Sequence, residues 1–121
     1  FKPNTNDSRE SPSIYVASKL LEEGAVLQIY DPKVEKEKIF SDLKTLWYLS
    51  KYKSSEIKNN LKRVKVFDNY IYAIENTSIV AIITGWEIFK SYDWSKICEY
   101  KKVFDGVNIL KNLKSKNKVD L

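Results

Sequence analysis

Strand-length apolar runs alternate with amphipathic helical stretches along this whole chain, and that alternation restricts its fold more than any other feature. Ala25 to Tyr30, Val64 to Phe67, Ser78 to Thr84 and Lys102 to Phe104 each have the length of one strand. The third contains the aliphatic run Ile79-Val80-Ala81-Ile82-Ile83 and is apolar enough for a central position. Before the first run, Ser11 can cap a helix, Pro12 suits its first turn, and Ile14, Ala17, Leu20 and Leu21 repeat on one face. Gly24 stands where a left-handed residue ends that helix. Val34 to Leu49 predicts a second helix, amphipathic through Ile39, Leu43 and Leu46. Asn69 to Glu75 predicts a short one with Tyr70, Ala73 and Ile74 inward, and Trp86 to Ser91 and Trp94 to Tyr100 predict two more. Phe1 to Ser8 reads as a polar loop, Ser50 to Lys62 fits no pattern cleanly, and the stretch from Lys111 reads as a frayed polar end. The expected class is α/β, a parallel sheet with helices on both faces. Ligands in such sheets bind beyond the carboxyl ends of the strands, which puts the loops at Asp31-Pro32, Thr84-Gly85 and Asp105-Gly106 in the candidate region.

Composition narrows the chemistry. The 121 residues suffice for one domain, and 43% apolar with 31% charged residues excludes a disordered chain. No apolar run approaches the roughly 20 residues a membrane helix needs. A single cysteine, Cys98, rules out a disulfide framework and predicts a reducing, cytoplasmic setting. It lies in a helical stretch and reads as a small packed thiol. With no histidine, histidine-based zinc sites, Ser-His-Asp triads and histidine acid–base chemistry are excluded. Three glycines, at 24, 85 and 106, cannot make a Gly-rich dinucleotide fingerprint.

The net charge of +5 is concentrated. Lys33 to Lys65 holds ten Lys/Arg and four Asp/Glu, a local +6, against 11 basic and 12 acidic residues elsewhere. Trp47, Tyr48 and Tyr52 fall among those lysines, as a nucleic-acid-binding surface would need. Lysine dominates arginine there, however, and bidentate phosphate or base contacts favour arginine, so a solvated surface is the preferred reading over an anion-attracting patch.

The segment Phe1-Lys2-Pro3-Asn4-Thr5-Asn6-Asp7-Ser8-Arg9-Glu10-Ser11-Pro12-Ser13 is the most specific feature: a polar loop carrying one Lys and one Arg into a helix N-terminus, where free amides favour a phosphate. It resembles the loop that opens the C-terminal, UDP-sugar-binding domain of the UDP-glucose 6-dehydrogenases and their nucleotide-sugar dehydrogenase relatives. The resemblance continues through Ile29-Tyr30-Asp31-Pro32-Lys33-Val34, Ala81 to Phe89, and Val103-Phe104-Asp105-Gly106-Val107-Asn108-Ile109-Leu110. Four motifs in order span nearly the whole chain; only Trp47 to Arg63 lacks one.

The resemblance implies a Rossmann-like domain from an NAD-dependent enzyme that oxidises UDP-glucose to UDP-glucuronate and works as a homo-oligomer. NAD is then bound mainly by an N-terminal domain, and the catalytic cysteine lies in a central region, so no catalytic residue is expected among 1–121. Phe1 and Lys2 match positions that contact the substrate, and Arg9 matches the arginine that reaches the NAD phosphates, a task suited to a guanidinium fork. Family members also place an apolar strand just before the Phe-Lys loop. Phe1 is therefore expected to be a cut end, with the first strand missing from this chain. Two positions depart from the pattern: Val107 stands where the family commonly has an arginine that reaches a neighbouring subunit's sugar nucleotide, and Gly85 replaces the usual acidic residue of a Thr-x-Trp motif. Two rival readings stay open, a non-catalytic nucleotide-binding or regulatory module and a basic nucleic-acid-binding domain.

Overall fold

The computed structural model describes residues 12–120. They fall into two compact units, one running to Ala73 and the other starting at Ile74.

The first unit holds α1 (Pro12–Glu22), β1 (Leu27–Tyr30), α2 (Lys36–Leu49), α3 (Ser54–Leu61), β2 (Val64–Phe67) and all but the last residue of α4 (Tyr70–Ile74). β1 and β2 pair in parallel, with Leu27 opposite Val64 and Tyr30 opposite Phe67. α1 buries Ile14, Ser18 and Leu21, while Leu20, expected inward, is 41% exposed. The reason is Trp47. This fully buried residue donates its indole N–H to Ser18 Oγ at 2.9 Å, so a serine takes the place on the stripe that hydrophobicity alone assigns to leucine. On α2 the buried face is accordingly Ile39, Asp42, Leu43 and Trp47, with Leu46 only half-buried.

α1 and α2 end in the same motif. The Ala25 N–H reaches the Leu20 carbonyl and the Gly24 N–H the Leu21 carbonyl; likewise the Tyr52 N–H reaches Trp47 and the Lys51 N–H reaches Tyr48. The apolar contact that accompanies such an ending is present at the second site, where the Tyr52 ring stacks on Trp47 with centroids 6.3 Å apart. The left-handed residue is Gly24 (φ 92°) in one helix and Lys51 (φ 68°) in the other. A side chain in that region costs about 1–2 kcal/mol, partly offset by the unfolded-state freedom that glycine adds. Nothing lies within 4 Å of a Cβ added at Gly24, so only conformation is at stake there. Gly24→Ala is expected to lower stability by about 1 kcal/mol and Lys51→Gly to raise it by about 0.5–1 kcal/mol. Chemical denaturation of the two variants checks this, and shifts of the same sign would refute it.

The stretch from Ser50 that fits no sequence pattern thus holds a helix ending, a turn and α3. Glu56 reaches back to accept the Lys53 N–H at 2.9 Å and starts α3. The Tyr52 hydroxyl donates to Glu22 at 2.8 Å. That hydrogen bond, with Lys19 nearby, holds the Glu22 carboxyl below its ordinary range and pushes the Tyr52 phenol up. Arg63 donates to the carbonyls of Leu21 and Ala25 at 2.8 and 3.0 Å and to Asn60 at 3.0 Å, tying the end of α1 to the end of α3.

The second unit contains β3 (Ile79–Ile82), a 3-10 turn (Glu87–Ser91), α5 (Trp94–Tyr100), β4 (Lys102–Asp105) and β5 (Lys118–Asp120). Its strands run parallel in the order β3-β4-β5. Ile82, Trp86, Phe89, Trp94, Cys98, Val103 and Leu110 are buried, so the aromatics and the thiol pack as their spacing predicts. α5 is capped by Asp93, whose carboxylate accepts the Lys96 N–H at 3.2 Å. Two expectations change. The polar tail is not frayed: its end forms β5, held because the Val103 N–H donates to Asn117 and the Asn117 amide to the Cys98 carbonyl. β3 has a strand partner only in β4 among the described residues, and Ile79 is 68% exposed, because apolar content reports a strand's faces and not its number of neighbours. The α/β class with parallel strands and flanking helices is the one the alternation predicts, its strands divided between two small sheets.

Candidate functional site at the strand exits

Parallel strands bring their exit loops to one end of a sheet. In the first unit, Asp31 leaves β1 with its carboxylate accepting the N–H groups of Lys33 and Val34 at 2.8 and 3.0 Å. Asn69 leaves β2 with its side-chain oxygen accepting the Ile71 N–H at 2.8 Å. Both are Asx turns, in which a short polar side chain folds the backbone around itself.

The second unit uses the same device in a buried form. Asp105, the last residue of β4, is 0% exposed. Its Oδ1 accepts from Val107 and Ile109 at 3.3 and 3.2 Å, and Oδ2 accepts from Leu110 at 2.8 Å. Asn108 takes φ 56°, a conformation its short side chain tolerates. Gly106 docks this loop on the exit of β3: its N–H donates to the Ile82 carbonyl at 2.9 Å, and an added Cβ would lie 3.0 Å from that same oxygen. A larger residue at 106 would therefore have to push the strand exit back by a few tenths of an ångström. Thr84 and Trp86, on the β3 exit, are buried, and Val107 is half-buried. A hollow of about 250 Å³, lined in part by Tyr92, Asp93, Ile109 and Asn112, adjoins the loop.

Chemically, Asp105 engages the amides that could otherwise cradle an anion. With Val107 aliphatic, this loop offers shape and no positive charge. The glycines at 24, 85 and 106 stand in three separate places, so no Gly-rich phosphate cradle forms among the described residues. Phe1, Lys2 and Arg9 lie outside the described residues. The structure brings Gly106 against Ile82 and Ile83, joining two of the sequence motifs in one place. Sequence reading missed the bonding role of Asp105, for which the Asp-Gly pair followed by Asn108 was the available signal.

The lysine-rich region presents a different surface. Lys33, Lys36, Lys44, Lys51, Lys53, Lys58, Lys62 and Lys65 are exposed, but Trp47 is in the core and Tyr52 is engaged by Glu22 and Trp47. Of Trp47, Tyr48 and Tyr52, Tyr48 alone is exposed, at 75%, and free to stack on a base.

Open parallel α/β sheets bind their ligands beyond the carboxyl ends of the strands, where these exit loops lie. The chain belongs to the UDP-glucose/GDP-mannose dehydrogenase family, whose UDP binding domain matches residues 1–112. It is 38% identical over 119 residues to the UDP-glucose 6-dehydrogenase of Gallus gallus, covering 93% of this chain. To that of Drosophila melanogaster it is 40% identical over 114 residues, covering 91%. To UDP-glucose 6-dehydrogenase 4 of Arabidopsis thaliana it is 35% identical over 117 residues, again covering 91%. The chain spans 22–24% of the length of these relatives.

Proposed function

We propose that this chain is the UDP-sugar-binding domain of a longer NAD-dependent dehydrogenase that oxidises UDP-glucose to UDP-glucuronate. The observation that carries the reading is the family match over residues 1–112, joined by relatives named for that enzyme. Phe1 and Lys2 are the proposed substrate contacts and Arg9 the proposed contact to NAD, which is bound mainly outside this domain. The described loops support this division, because their amides are engaged by Asp31, Asn69 and Asp105 and leave phosphate binding to side chains. On this reading the 121 residues alone are inactive, and the complete protein is a cytoplasmic homo-oligomer. Val107 favours one second reading, a module that keeps the fold and has lost substrate affinity.

Calorimetry with UDP-glucose on the full-length polypeptide separates the two. Binding is expected for the wild type, and Val107→Arg is expected to tighten it by about tenfold or more, the scale of one charge-assisted contact. No binding by the wild type would sink the dehydrogenase reading. Unchanged affinity in Val107→Arg would show that this site does not use the family's arginine position.

A further inference from the structure

Lysine is rarely buried without a defined partner, yet the Lys118 side chain in β5 is only 6% exposed. Its ammonium donates to the Leu110 carbonyl at 2.7 Å and lies 3.3 Å from the Asp120 carboxylate. Leu110 is the residue at which the exit loop of β4 closes, and its N–H is already held by Asp105. One residue is thus gripped on both sides: its amide by a carboxylate from β4, its carbonyl by an ammonium from β5. The parallel register sets this up, with Asp105 beside Asp120 and Val103 beside Lys118. Because side chains two apart on a strand share a face, Lys118 and Asp120 stand together on one side of β5.

We propose that Lys118 is a positioning residue: with Asp105 it clamps the 106–110 loop and so fixes where the side chain at 107 stands. β5 on this account is a brace for the strand exit. The effect of the clamp on UDP-sugar affinity rests on the function proposed above; the clamp itself does not.

The test uses the full-length polypeptide with Lys118→Met, which keeps length and apolar stem and removes the charge and donors, and Lys118→Arg, which restores a cation. Amide hydrogen exchange at Val107, Ile109 and Leu110 is expected to speed up about tenfold or more in Lys118→Met, the scale of one lost charged hydrogen bond, while the β3–β4 ladder keeps its protection. The KM for UDP-glucose is expected to rise severalfold with kcat little changed, and Lys118→Arg is expected to recover both readouts in large part. Unchanged loop exchange in Lys118→Met overturns the proposal, as does loss of protection spread evenly over the whole sheet. Should Lys118→Met fail to fold, Lys118→Gln, which keeps a neutral donor, is measured in its place: faster exchange confined to the loop supports the clamp, and unchanged or evenly lost protection overturns it. A wild type that does not bind UDP-glucose refutes the proposed function, while the exchange rates still decide the clamp.

Discussion

Asp105→Ala is expected to destabilise the fold by about 2–4 kcal/mol, from a buried amide left without its acceptor and the space the side chain vacates. The carboxylate accepts three backbone N–H groups, and their fates differ. Val107 and Ile109 are half-buried, so their amides can recover water. Leu110 is 7% exposed, and its amide has no such recourse; leaving it unsatisfied costs about 1–3 kcal/mol. The emptied site beneath the loop adds a cavity. Asp105→Asn keeps the volume and one acceptor but turns an NH2 group toward one set of amides, so its loss should fall between alanine and wild type. Denaturant titration of the three proteins measures the series. A loss below about 1 kcal/mol for Asp105→Ala would mean the loop is held by its other contacts.

Trp47→Ala is the second large effect, expected at about 3–5 kcal/mol for emptying the space of a fully buried indole. The same ring supports Tyr52 and satisfies Ser18, so its loss also loosens the ends of α1 and α2. Trp47→Phe retains much of the volume and strands only the Ser18 hydroxyl, for which about 1–2 kcal/mol is expected. Equal losses in both variants, read from thermal or chemical unfolding, would show that the hydrogen bond outweighs the packing.

Periodicity located most elements within two or three residues, because helix and strand repeats depend on which faces are buried, and those faces are written in the order of apolar residues. It failed where a polar atom decided the outcome. Ser18 replaces Leu20 on the buried stripe because an indole N–H needs an acceptor. Lys51 ends a helix in a conformation that pattern reading grants to glycine. β5 was hidden because Lys118 and Asp120 are polar yet held by specific partners, and no apolar signal marks such a strand. The candidate site was legible as positions, through Asp31-Pro32, Thr84-Gly85 and Asp105-Gly106, but not as bonds. Nothing in the letters alone says that Asp105 is turned inward onto its own loop. Phe1, Lys2 and Arg9, on which the resemblance places the ligand contacts, lie outside the described residues and rest on sequence.

The inward turn of Asp105 separates scaffold from message. Backbone geometry at this exit is set by Asp105, by the close approach of Gly106 and by the grip on Leu110, none of which involves the side chain at 107. That position can exchange an aliphatic group for a cation without asking the main chain to move. On the function proposed above, such an exchange would alter what the exit loop presents to a ligand and leave the frame that holds it unchanged.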